Sequence, residues 1–226
     1  MKKDRVRIIL FVAASCLLMF FGSRQAYADT VEVELESTGG VTSGPYLVYP
    51  YNFSINGSSK LTSLMCINYT KEIGFNESWT ATVVSATVST AYKEAAYIFA
   101  QAGAPGAAES SIIVSQWANW ELFDPNDPNL MAAEPLQYQK DVATLLSDAK
   151  AFVRVNPNAN LYSNYQIYLP VAGSWPNGWG EPQDLIGQVT PEPGSLVLFG
   201  SGLFGFALLL YLKRRSAREG SPLPDK

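Results

Sequence analysis

Cys66 has the side chain in this chain best suited to forming a covalent bond. The sequence of 226 residues contains two cysteines, and the other, Cys16, lies in an apolar N-terminal segment. In an exported protein, a lone thiol enters a compartment that oxidises thiols. Three roles are open for Cys66: an inert buried residue, a partner in an intermolecular disulfide, or one half of another crosslink.

The absence of histidine from the sequence excludes several kinds of catalytic site. Serine–histidine and cysteine–histidine catalysis and histidine-based metal sites all require that side chain. The acidic run at residues 124–129 offers hard oxygens for calcium, but it lacks the ligand spacing and the glycine of an EF-hand loop. Its Asp, Asn and Pro residues predict a turn between helices. The sequence therefore predicts no catalytic residue, no metal site, no cofactor and no enzyme activity.

Two short stretches resemble the signatures of bacterial thioester domains. That family has an aromatic residue or leucine before Cys-Ile, and a Thr-Gln-x-Ala motif followed by tryptophan. Here the first stretch is Met65-Cys66-Ile67. The second, fifty residues later, is Ser115-Gln116-Trp117-Ala118-Asn119-Trp120-Glu121. Met65 and Ser115 depart from the family pattern.

The resemblance implies that the Cys66 thiol and the Gln116 carboxamide condense to an internal thioester with loss of ammonia. A surface amine or hydroxyl would then attack the thioester and become covalently attached. Gln116 lies at helical spacing from Ile112, Trp120 and Phe123, on an apolar face. A buried unpaired carboxamide costs about 1–3 kcal/mol, and thioester formation removes its NH2 donors. The alternative is a glutamine hydrogen-bonded to the sheet beside a buried free cysteine.

The elements that must position these residues follow from the hydrophobic pattern. Alternation and β-branched or aromatic runs predict strands in the first half of the mature chain, and Asn56-Gly57 predicts a hairpin turn. Helical spacing predicts helices across residues 90–152, and a last strand is expected at 165–169. This order predicts an α+β fold with antiparallel strands in the first half, a helical segment in the second and one C-terminal transmembrane helix. The strands of the first half are predicted at 31–35, 46–55, 61–69 and 79–88.

Residues 1–28 have the pattern of a secretory signal peptide. Basic residues precede an apolar run from Ile8 to Phe21, and Ala26-Tyr27-Ala28 fits a signal peptidase site. The run is too short to favour a permanent anchor. The sequence therefore predicts export and a mature N-terminus at Asp29.

The C-terminus resembles a PEP-CTERM sorting tail. Pro191, Glu192 and Pro193 precede an apolar run at 195–212, which would span roughly 27 Å as a helix and is followed by the basic residues 213–215. The basic cluster is expected to stay cytoplasmic. The resemblance covers residues 190–217. It implies that an exosortase cleaves near the motif and that the protein moves from the inner membrane to the outer envelope or the extracellular matrix.

The predicted organisation is a signal peptide (1–28), an acidic extracytoplasmic domain (29–189), the sorting tail (190–217) and a cytoplasmic tail (218–226). The domain has 16 acidic and six basic residues, which argues against nucleic acid as a partner. Two functions are open. One is a thioester-mediated surface-attachment domain, and the other is a non-covalent structural or binding protein of the envelope or exopolysaccharide matrix.

Overall fold

The computed structural model of the chain describes residues 29–104, 106–176 and 180–189, together with Gly202, Gly205, Phe206 and Leu209. The chain divides into two units, Met1–Gly187 and Gln188–Lys226. The four isolated residues of the second unit are helical. The predicted signal peptide lies outside the described residues.

Six strands close into an antiparallel barrel in the order β1-β4-β5-β8-β7-β6. Two further strands, β2 and β3, pair with each other in a separate two-stranded sheet. The strands of the barrel come from both ends of the domain, since β7 and β8 follow the helices. The strand bounds are Asp29–Thr38 (β1), Thr42–Ser43 (β2), Tyr46–Leu47 (β3), Tyr51–Ile55 (β4), Thr62–Cys66 (β5), Ser78–Ser85 (β6), Tyr165–Pro170 (β7) and Leu185–Gln188 (β8).

Four α-helices lie between β6 and β7 in the sequence. Ser89 begins the first helix, because its Oγ accepts a hydrogen bond from the Tyr92 amide at 3.1 Å. Asp127 begins the third helix in the same way, accepting from the amides of Asn129 and Leu130, with Pro128 at the first helical position. The helix bounds are Thr90–Ala102 (α1), Glu109–Phe123 (α2), Pro128–Ala133 (α3) and Gln139–Val155 (α4).

Strand alternation divides the core between the barrel interior and the interface with the helices. On β5, Leu64 and Cys66 pack with the barrel interior cluster that contains Phe53. Met65 and Ile67 pack instead with residues of the helices. The side chains of residues 64–67 are all fully buried. The end of β5 therefore has apolar packing on both faces.

The predicted hairpin turn is confirmed. Asn56 and Gly57 both adopt positive φ, of 51° and 67°, between β4 and β5. The strand predicted over residues 46–55 is instead interrupted between β3 and β4. Pro50 lies in the interruption and has no amide hydrogen to donate to a ladder.

The predicted fold class, α+β with antiparallel strands in the first half and a helical segment in the second, is wrong. The strands close into a barrel because β7 and β8 return after the helices and complete the ring between β6 and β5. Periodicity indicates where strands lie but not which strands pair. Strand β8, in which three of four residues are buried, was not predicted.

Within the part of the chain that the structure describes, no helix has both the length and the apolar character needed to cross a membrane. The predicted span at 195–212 lies outside the described residues except for Gly202, Gly205, Phe206 and Leu209.

Candidate functional site

The Cys66 thiol lies at the end of β5, inside the barrel. It is fully buried and is a free cysteine. Burial raises the pKa of the thiol, and the neighbouring Tyr51 hydroxyl lowers it by a smaller amount. The thiol is therefore held in its neutral form, which is a poor nucleophile toward ordinary thiol reagents.

Gln116 is fully buried on α2, although it is a polar residue. Six consecutive residues of this helix, 115–120, are buried, because the helix packs between the barrel and α1 and α4. The Gln116 carboxamide uses both of its polar atoms. Its Nε2 donates to the backbone oxygen of Cys66 at 2.6 Å, and its Oε1 accepts from the Tyr49 amide at 3.2 Å.

The structure thus brings the two predicted site residues together across fifty positions of sequence. The contact is between the Gln116 carboxamide and the Cys66 main chain, while the Cys66 side chain packs inside the barrel. The carboxamide bridges the end of β5 to the segment that precedes β4. The β4–β5 ladder ends at the pair Tyr51 and Leu64. The carboxamide therefore satisfies two backbone groups that lie beyond the end of the ladder.

Other side chains of α2 fix its position against the strands. Asn119 Nδ2 donates to Met65 Sδ at 3.0 Å, and Trp117 Nε1 donates to Ser43 Oγ at 2.8 Å. Asn119 was not predicted as a site residue, although it lies three residues after Gln116 on the same helix. Tyr49 was not predicted either, because it contributes a backbone amide, which carries no sequence signal.

A cleft of about 590 Å³, here called the aromatic cleft, adjoins the Cys66 site. Tyr51 belongs to both, since its side chain contacts the thiol and lines the cleft. Other lining residues include Tyr46, Tyr69, Trp120, Lys71 and Gln183. The rings of Tyr46 and Tyr69 are tilted against each other with centroids 5.7 Å apart, and their hydroxyls are hydrogen-bonded at 2.7 Å.

Residues 124–127 of the acidic run form the predicted turn between helices α2 and α3, and the last two residues of the run begin α3. Asp124 Oδ2 accepts from the Tyr69 amide at 2.6 Å, and Asp127 caps α3. These hydrogen bonds occupy the carboxylates with backbone donors. Across residues 29–189 as described, no group of three or more His, Cys, Asp or Glu side chains could hold a metal ion.

Residues 189–215 match the family described as the PEP-CTERM protein-sorting motif. The chain carries a PEP-CTERM sorting motif. The match confirms the resemblance predicted for the C-terminus, and the protein is an exported envelope protein processed by an exosortase. Pro191, Glu192 and Pro193 fall within the matched range and outside the described residues.

Two solved structures are similar to this chain at low identity. The N-terminal domain of the Streptococcus pyogenes pilus tip adhesin Cpa has 15% identity and a TM-score of 0.43, covering 75% of this chain and 97% of that domain. The N-terminal thioester domain of protein F2 like fibronectin-binding protein from Streptococcus pneumoniae has 14% identity and a TM-score of 0.36, covering 71% and 93%. These values are too low to assign a function. A comparison with curated proteins finds no match.

Proposed function

We propose that residues 29–189 form a covalent surface-attachment domain in which Cys66 and Gln116 make an internal thioester. The observation that carries the proposal is the hydrogen bond of 2.6 Å between the Gln116 carboxamide and the Cys66 carbonyl, with both residues fully buried. The Cys66 side chain packs inside the barrel, so bonding requires the thiol to leave that packing and turn toward the Gln116 carboxamide.

The condensation balances without a cofactor. The Cys66 sulfur attacks the Gln116 carboxamide carbon, the carbon–nitrogen bond breaks, and the thiol proton leaves with the amide nitrogen as ammonia. The Tyr49 amide donates to Gln116 Oε1, which is the oxygen that gains negative charge during the attack. The same donor would polarise the finished thioester toward a second nucleophile.

Attachment would follow when an amine or hydroxyl on a target attacks the acyl carbon and displaces the Cys66 sulfur. Each molecule would make one bond and would not turn over, so the protein would not be an enzyme. The full burial of both residues would protect the thioester from water. A nucleophile held in the aromatic cleft would approach from the side of Tyr51.

In this proposal, export and sorting precede attachment. Signal peptidase removes residues 1–28, the precursor is held at the inner membrane with the domain in the periplasm, and exosortase processing of the tail sends residues 29–189 to the outer envelope or matrix. Residues 218–226 would remain cytoplasmic.

A second candidate is a non-covalent structural or binding protein of the envelope or exopolysaccharide matrix. One observation favours it: hydrogen bonds to two backbone groups already give the Gln116 carboxamide a structural role. In that case Cys66 is an inert core residue.

The intact mass of the exported protein distinguishes these candidates. The chain is expressed with its signal peptide in an exporting bacterial host and purified without amines. We expect a mass lower by one ammonia than the sequence of the processed form, and gain of one methylamine on treatment with that reagent. Cys66→Ala and Gln116→Ala should each abolish both effects. Gln101→Ala, at an exposed glutamine of α1, is the matched control and should retain them. An unmodified mass that methylamine does not change would overturn the thioester proposal.

A further inference from the structure

We infer that the aromatic cleft binds a neutral carbohydrate. Its volume of about 590 Å³ lies within the range of about 300–1,000 Å³ usual for small-molecule sites. The inference does not require the bond between Cys66 and Gln116.

The aromatic side chains supply the apolar part of the site. Tyr46 and Tyr69 are half-buried, so part of each side chain remains accessible. Trp120 packs behind them with ring centroids at 6.0 and 5.5 Å. Their mutual packing and the hydroxyl contact between the tyrosines hold the rings in place before a ligand arrives. Rigid rings beside polar groups suit a ligand with apolar C–H faces and polar edges, as sugar rings have.

Two buried polar atoms of the lining residues have no hydrogen-bond partner among the described residues. They are the Trp120 Nε1, which is a donor, and the Gln183 Oε1, which is an acceptor. An unsatisfied buried polar atom costs free energy that a bound partner would recover. A hydroxyl group both donates and accepts, so one type of ligand group satisfies both atoms after a small side-chain rotation.

The charges of the cleft favour a neutral ligand over an ion. Lys71 is the one basic residue among the described lining residues, and its Nζ lies 3.0 Å from Glu181 and 3.4 Å from Asp184. An anion would therefore find no unpaired cation there. Asp127 is occupied in capping α3, and Glu72 is exposed, so a cation would gain little beyond a solvated contact.

The test is titration calorimetry of the exported, processed protein with two probes, maltohexaose and cellohexaose. We expect at least one of them to bind. Tyr69→Ala should weaken that binding at least tenfold, and Trp120→Phe, which keeps a ring but removes Nε1, should weaken it severalfold. Tyr138→Ala, at a half-buried tyrosine outside the cleft, is the matched control and should leave binding unchanged. Tyr46→Phe removes one hydroxyl and tests the site if Tyr69→Ala does not fold.

Cys66→Ala separates this inference from the thioester proposal. It should remove the loss of ammonia and retain the oligosaccharide binding. Absence of binding by both probes, equal binding by wild type and the folded cleft variants, or tighter binding of hexylamine than of either oligosaccharide would overturn the inference.

Discussion

The Gln116 carboxamide makes hydrogen bonds to two backbone groups beyond the end of the β4–β5 ladder. The ladder between β4 and β5 pairs residues 51–53 with 62–64, and the Cys66 carbonyl lies beyond its end. Gln116 satisfies that carbonyl and the Tyr49 amide together. This dual contact explains why a glutamine is buried on α2 whether or not the thioester forms. A thioester would give up the bond to the Cys66 carbonyl, because it lacks the NH2 donor, and would keep the acceptor that faces Tyr49.

Glu134 provides a pH-dependent contribution to stability near neutral pH. The residue is 8% exposed, and its burial, together with the smaller effect of the neighbouring Glu121, raises its pKa from the ordinary 4.5 to about 7. Because the folded-state pKa is the higher one, the stabilising contribution is complete below about pH 4.5 and is lost as the pH rises through about 7. We expect Glu134→Gln to abolish this decline and to raise the free energy of unfolding at pH 8.

Urea unfolding of the wild type and of Glu134→Gln between pH 4.5 and pH 8 measures how the free energy of unfolding depends on pH. Glu109→Gln, at an exposed glutamate in the first turn of α2, is the matched control and should leave the pH dependence as it is. An unchanged pH dependence in Glu134→Gln would assign the effect to another group.

At the scale of elements, the sequence predicts what is local and misses what depends on pairing. The alternation before residue 88 and the helical spacing after residue 90 correspond to β1, β4–β6 and helices α1, α2 and α4. The four residues of β8 are too few for a periodic signal, and their pairing with β5 spans more than 100 residues. The turn predicted at residues 124–129 includes the first two residues of the short helix α3, because Asp127 and Pro128 are common both in turns and at helix starts.

The candidate site shows the same division. Cys66 and Gln116 were selected through the resemblance to thioester domains, and the structure places the Gln116 carboxamide against the Cys66 main chain. The residues that complete the site act through features that sequence patterns do not encode. Tyr49 contributes a main-chain amide, and Tyr51 reaches the thiol only because strand alternation directs both side chains into a closed barrel.

The N-termini of α1 and α2 offer a matched test of helix capping. Ser89 caps α1 with its hydroxyl, whereas Ala108, at the same position of α2, is exposed and has no side chain that can accept a hydrogen bond. We expect Ala108→Ser to raise the free energy of unfolding by about 1 kcal/mol and Ser89→Ala to lower it by a similar amount. Thermal and urea denaturation measure both. Destabilisation by Ala108→Ser would show that the extended backbone at Ala108 does not place a side chain for capping.

At the scale of the whole molecule, the sorting motif and the domain have separate tasks. The motif at 189–215 directs processing, whereas the barrel and helices up to residue 187 hold the candidate sites. A substitution in the motif should therefore leave the candidate sites of the domain intact, and a substitution in those sites should leave sorting intact. The distinction matters for the proposals, because loss of attachment in a cell could arise from failed sorting as well as from a failed thioester.

Replacement of Pro191, Glu192 and Pro193 by alanine tests this separation. We expect the precursor to accumulate unprocessed in the membrane fraction, because the residues matched to the motif would no longer present it to the exosortase. Peptide mapping of the wild-type exported protein should start at Asp29 and end near residues 191–194. The matched control replaces Pro222 and Pro224, which lie after the matched range, and should be processed normally.

If the sorting variant is exported and trimmed like wild type, or if peptides containing Leu203 are recovered from the released form, then the motif does not direct cleavage at this place. If the retained precursor still reacts with methylamine, sorting and thioester formation are independent.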